Sequence, residues 1–260
     1  MNQAQAHILE VSGARLYFEA EGNDPVLVLI PGANGDNQIF KPLRAFLKEH
    51  YIVVTYDRRG FSNSKLTGPQ DYDRRLETDA DDVQSLIAHL TSEPAFVLGS
   101  SSGAIVALKV LCRHPSSVRT VVAHEPPLVK PLPDSDKWVE FFQSVYDTQR
   151  ESGLSAAMEK FTSILSNRSD VALMSGDSPM KRSETAMKNG KYWFEHELRQ
   201  YSGSNLDMNA IKQNADKLIL AVGLASQNDF PSFPAKELSK ILNKPIFDVP
   251  GGHLGYVVEP

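Results

Sequence analysis

Ser101, His253 and a carboxylate, either Glu125 or Asp229, are the residues of this chain whose types and spacing could carry out acyl transfer. A serine hydroxyl is a weak nucleophile at neutral pH. It needs a base within hydrogen-bond reach, and the base needs a carboxylate to orient it. Ser101 stands in Gly99-Ser100-Ser101-Ser102-Gly103, two residues from each glycine. That G-x-S-x-G spacing fits a tight strand-to-helix turn with an exposed hydroxyl. The apolar run Ala95-Phe96-Val97-Leu98 precedes it, and Ile105, Leu108, Val110 and Leu111 follow at helical spacing as far as His114-Pro115. Strand, turn and helix therefore arrive in the required order.

Of seven histidines, His253 fits the base best. It follows Pro250-Gly251-Gly252 late in the chain, and this kind of turn pairs a nucleophile first with a histidine last. The orienting acid has two candidates. Glu125 ends the strand after the serine helix and is followed by Pro126-Pro127; Asp229 lies further out in a polar loop, where turn and capping roles are common. Glu125 is the better placed. Backbone N–H groups of Ser102 and of Ala33, in Pro31-Gly32-Ala33-Asn34-Gly35, are the candidate donors to a developing oxyanion. His114 is expected to close the serine helix, His124 to be structural, and His7, His50 and His89 to be solvated. His196 has no second histidine four residues on, so it makes no zinc motif.

The elements that must hold these groups show a clear rhythm. His7–Val11 and Arg15–Ala20 flank a glycine turn as a hairpin. Val26–Ile30 is apolar throughout, as a strand buried on both faces is. Tyr51–Tyr56, Ala95–Leu98, Val118–Ala123, Lys217–Gly223 and Pro245–Val249 read as further strands. Val83, Leu86, Ile87 and Leu90 mark an amphipathic helix between two of them. This alternation predicts an α/β fold, a mostly parallel sheet with helices on both faces. Residues 131–208 break the rhythm: Trp138, Phe142 and Val145, then Leu154, Met158 and Phe161, then Tyr192, Trp193, His196 and Leu198 form helical faces without strands. Residues 1–130 and 209–260 are thus expected to form the core and 131–208 a helical cap over the strand ends, where open α/β sheets bind ligands. Asp57-Arg58-Arg59-Gly60 reads as a buried turn with an ion pair. Asp79, Asp81 and Asp82 read as a solvated helix start.

The 260 residues, 41% hydrophobic and 23% charged with net charge −5, describe a globular chain large enough for a sizeable core. The acidic balance and the lack of a basic stripe argue against nucleic-acid or anionic-membrane partners. One cysteine, Cys112, excludes an intrachain disulfide and a cysteine-rich metal site. No membrane-length apolar run, secretory signal or nucleotide motif occurs. A cytoplasmic protein without metal or cofactor, acting on a small molecule, is expected.

In order, the Pro31-Gly32 loop, Asp57-Arg58-Arg59-Gly60-Phe61-Ser62, the Gly99–Gly103 turn and Gly251-Gly252-His253 resemble the α/β-hydrolase superfamily over nearly the whole chain. The resemblance implies an eight-stranded, mostly parallel sheet with a cap inserted after the sixth strand. The loop where the family usually carries its acid aligns with Ser226 rather than Asp229, which moves the acid to Glu125. The turn and His124-Glu125-Pro126 are similar to those of lactone hydrolases. The implied activity is hydrolysis of an ester, thioester or lactone through an acyl-enzyme on Ser101. Cofactor-free perhydrolysis of the haloperoxidase type, carbon–carbon bond hydrolysis, and a slow or inert ligand receptor on the same fold are the alternatives.

Overall fold

The computed structural model describes residues 5–174 and 183–260. The first four residues and residues 175–182 of the expected insertion lie outside the described residues. The chain opens with β1 (Gln5–Val11), β2 (Ala14–Gly22), β3 (Val26–Ile30), α1 (Lys41–Leu47), β4 (Ile52–Tyr56) and β5 (Lys65–Leu66). It continues through α2 (Arg75–Leu90), β6 (Ala95–Ser100), α3 (Ser102–Arg113) and β7 (Val118–His124). Helices α4 (Ser135–Thr162), α5 (Arg168–Met174), α6 (Glu184–His196), α7 (Leu198–Ser202) and α8 (Met208–Gln213) follow. The chain then returns to the sheet through β8 (Leu218–Gly223), α9 (Ser232–Leu242), β9 (Ile246–Val249) and α10 (Gly255–Val258).

Eight strands lie in the order β1-β2-β4-β3-β6-β7-β8-β9, and the two-residue β5 adds a ninth against β2. β1, β2 and β4 pair antiparallel, whereas β4, β3, β6, β7, β8 and β9 run parallel. This is the mostly parallel α/β sheet that the strand–helix rhythm predicts, in the α/β-hydrolase arrangement that the resemblance implies. The extra strand β5 is too short for a hydrophobic pattern, so β7, the strand before the inserted helices, is the seventh by chain order.

β3 is buried at every position. Successive side chains of a strand face opposite ways. Val26, Val28 and Ile30 accordingly pack in the cluster that holds α2 and α3, while Leu27 and Leu29 pack with Phe40 and α1. A separate aromatic cluster joins α4, α6 and α7 to Phe61 and Phe230 from loops of the sheet region. α4 is two helical stretches meeting at Gly153, whose φ of 88° interrupts the helix. The expected third helical face is split, with Leu198 falling in α7 and Glu197 at the junction with α6.

One expectation is overturned. Asp79 and Asp82 are buried, at 1% and 3% exposure, on the inner face of α2. Arg58 and Arg59 come to meet them, which compensates the loss of water that would otherwise forbid burying a carboxylate. Burial nevertheless pushes the Asp82 carboxyl up to about 6 against the pull of Arg59. Of the three, only Asp81 faces solvent, where it pairs with Arg113 and His114.

Candidate active site

Ser101 lies between β6 and α3 with φ 56° and ψ −128°, a conformation that non-glycine residues seldom adopt. Its N–H donates to the His124 carbonyl at 3.0 Å, and its own carbonyl accepts from Ala104 N at 2.8 Å. The flanking glycines make the turn possible. A Cβ on Gly99 would lie 2.2 Å from the Gly103 carbonyl oxygen, and one on Gly103 would lie 2.2 Å from that of Ile30. Strand and helix backbones are in contact there, so the strained serine is held by packing on both sides.

His253 follows the short strand β9 in a loop turned by Gly251, whose φ is 72°. Its Nδ1 lies 2.6 Å from Glu125 Oε2. The other carboxylate oxygen accepts from Gly223 N at 2.9 Å and from the Ser226 hydroxyl. Glu125 is fully buried with φ 48° at the end of β7, and its N–H donates to Ala221 of β8. Burial disfavours both charged groups, but the hydrogen bond and mutual attraction outweigh it. The Glu125 carboxyl is therefore held low and the His253 imidazole is raised above its ordinary value.

Asp229, the other acid candidate, is occupied elsewhere. Its carboxylate accepts from Ser166 N at 2.8 Å, Asn167 N at 3.2 Å and the Ser166 hydroxyl at 2.5 Å, tying down the segment before α5. His124 is buried beside the site, with Nδ1 3.2 Å from the Ser100 hydroxyl and its ring stacked 6.2 Å from that of His253. Burial depresses its pKa to about 4, so it is neutral near pH 7. His114 ends α3 and meets Asp81 at 2.6 Å; His7, His50 and His89 are exposed.

The loop after β3 lies against the serine: a Cβ on Gly32 would come within 2.9 Å of Ser101 Cβ. The Gly32 carbonyl accepts from Gly35 N at 2.9 Å and from Arg58 Nη2 at 3.0 Å. A trans peptide points its N–H opposite to its carbonyl, so these bonds also fix the direction of the Ala33 N–H. Ser102 is the first residue of α3, where backbone N–H groups lack helical partners. Arg58 is fully buried and is itself held by Asp79 at 2.9 Å and Glu197 at 2.6 Å. Arg75 joins Glu197 at 3.0 Å and Tyr192 at 2.9 Å, completing a buried set of two arginines and two carboxylates.

Ser101, Ser102 and His253 line a narrow cavity of about 20 Å³. Phe142, Phe161, Trp193 and Phe230 are aromatic members of its lining. Glu197 is the carboxylate among the described lining residues, and both its oxygens are engaged by arginines. Among the described residues, no group of three or more His, Cys, Asp or Glu side chains could hold a metal ion. No described helix is long and apolar enough to cross a membrane. No local pattern in the sequence marks Glu197, Arg75 or Asp170, whose side chains complete the surroundings of the site.

Comparison with known proteins bears on the fold and the family. The family model described as "alpha/beta hydrolase fold" matches residues 25–260. An uncharacterized hydrolase of Bacillus subtilis, YraK, is 31% identical over 255 residues, covering 96% of this chain and 90% of its own. A zearalenone hydrolase of Cladophialophora bantiana is 35% identical over 126 residues, 48% of each chain. Among solved structures, the enol-lactonase of Burkholderia xenovorans superimposes with a TM-score of 0.71 at 17% identity, over 97% of this chain and 92% of that one. The chain belongs to the α/β-hydrolase family and is a hydrolase by kinship.

Proposed function

We propose that this chain is a serine hydrolase that cleaves an ester, thioester or lactone of a small, uncharged, mainly apolar substrate. The observation that carries this reading is the 2.6 Å contact between His253 Nδ1 and Glu125, with His253 and Ser101 lining one cavity. Glu125 holds the imidazole so that Nε2 is free to accept the Ser101 proton. Ser101 Oγ attacks the carbonyl carbon, and the Ala33 and Ser102 N–H groups stabilise the oxyanion. The proton on His253 then passes to the leaving oxygen or sulfur, or to the ring-opened alcohol of a lactone. Water, activated by the same imidazole, hydrolyses the acyl-enzyme. Residues 131–208 serve as a cap on the core formed by 1–130 and 209–260.

The aromatic side chains of the lining favour an apolar acyl group, and Arg58 and Arg75 are both taken up by Asp79 and Glu197, so neither offers a free cation to a substrate carboxylate. A lactone is one natural form of such a substrate, as the name of the enol-lactonase illustrates for that protein. The test has two stages. Intact mass after a fluorophosphonate should show a single adduct on wild type and none on Ser101→Ala. A panel of matched neutral and carboxylate-bearing esters and lactones should then show the neutral members turned over at least about tenfold faster, a difference of roughly 1.4 kcal/mol. A folded wild type that takes no adduct and turns over no ester or lactone would defeat the reading.

A further inference from the structure

His253 is gripped at two places, and only the grip on its ring belongs to the triad. Its main-chain N–H donates to Asp170 Oδ2 at 2.8 Å, and the N–H of Leu254 donates to Asp170 Oδ1 at 2.8 Å. Asp170 is 2% exposed and lies in α5, within the helices inserted between β7 and β8. The fit is close, since a Cβ on Gly252 would lie 2.1 Å from Asp170 Oδ2. The Asn167 side chain in turn accepts from the N–H groups of Ser169 and Asp170 at 2.9 and 3.1 Å. Asp229 holds Ser166 and Asn167 from the sheet side. A chain of hydrogen bonds thus runs from the β8–α9 loop, through residues 166–170, back to the backbone of His253.

We propose that Asp170 is a positioning residue, by which the inserted helices set the placement of His253 and so the readiness of the base. This rests on the hydrolase reading above. A loop containing Gly251 and Gly252 has no side chains of its own there to fix its path. Two charge-assisted hydrogen bonds from a buried carboxylate supply that constraint. The carboxylate also adds negative charge near the imidazole, alongside Glu125 and Asp229, with neutral His124 stacked beside it.

Asp170→Asn replaces one acceptor oxygen with an amide nitrogen that faces a backbone N–H. With a neutral ester, kcat should fall roughly 10- to 100-fold, as small misplacements of catalytic groups do, while KM stays within about twofold. The acid limb of the kcat/KM profile should move to lower pH, because one negative charge favouring the imidazolium is gone. A purely structural residue would leave that limb in place. A folded Asp170→Asn with wild-type kcat and an unmoved limb overturns the proposal. Amide exchange on wild type reads the same bonds without a variant and decides the matter if the variant does not fold. The His253 and Leu254 amides should exchange about 100-fold or more slower than an open chain, and open-chain rates would overturn the proposal. Failure of the hydrolase reading looks different, since wild type itself would then neither label at Ser101 nor turn over substrate.

Discussion

At the scale of single residues, the informative pair is Glu125 and His253. Burial alone would push the imidazole down and the carboxyl up; their 2.6 Å hydrogen bond reverses both. Below its raised pKa, His253 is an imidazolium and cannot accept the serine proton, so the acid limb of kcat/KM should lie above the ordinary histidine value of about 6.5. Glu125→Gln removes the charge that favours the imidazolium and presents an amide in place of one acceptor oxygen. That limb should move to lower pH and kcat should fall on the order of 10³- to 10⁴-fold. Rates at several pH values check both effects, and a variant with near-wild-type kcat would remove Glu125 from the mechanism. Ser101, His253 and the strand-end glutamate were legible because the glycine turns and the prolines mark them locally. Asp170 was not, because it meets His253 across 83 residues and α5 is a short helix of mixed polarity with no motif around it.

At the scale of elements, the inserted helices and the sheet are joined by charges as well as by the aromatic cluster. Arg58 and Arg75 face Asp79 and Glu197 in a region closed to water. The alternation of strands and helices was readable, because each strand is a short apolar run. The ion-pair cluster was only half readable. The arginine turn promised one ion pair, but Asp79 and Asp82 looked like helix-start carboxylates, and Glu197 pairs with Arg58 across 139 residues. Balanced buried charges become costly when one member is removed. Glu197→Gln should destabilise by about 3–5 kcal/mol, since it leaves an arginine uncompensated. Arg75→Met combined with Glu197→Gln keeps Arg58 opposite Asp79 and restores the balance. Urea unfolding of the two single variants and the double variant should therefore show the double less destabilised than the sum by more than about 1 kcal/mol. Simple additivity would mean that the four groups do not act as a unit.

At the scale of the whole molecule, two histidines next to the same site give stability opposite dependences on pH. His124 is buried without a carboxylate on its ring, and its pKa falls to about 4. In the unfolded chain it takes up a proton near pH 6.5. The stability it permits is fully present above that value and is lost as pH falls toward 4, because only the unfolded state binds the proton. His253 has a raised folded pKa, so its contribution is fully present below the unfolded value and is lost as pH rises through the folded one. Wild type measured alone therefore mixes the two slopes. His124→Gln isolates one of them, removing the neutral imidazole while leaving Glu125 and His253 in place. Between pH 7 and pH 5, wild type should lose on the order of 2 kcal/mol more unfolding free energy than this variant. Urea midpoints at the two pH values read the difference directly. Equal losses would mean that His124 takes up its proton in the folded state as readily as in the unfolded one, and that its burial does not govern the acid side of stability.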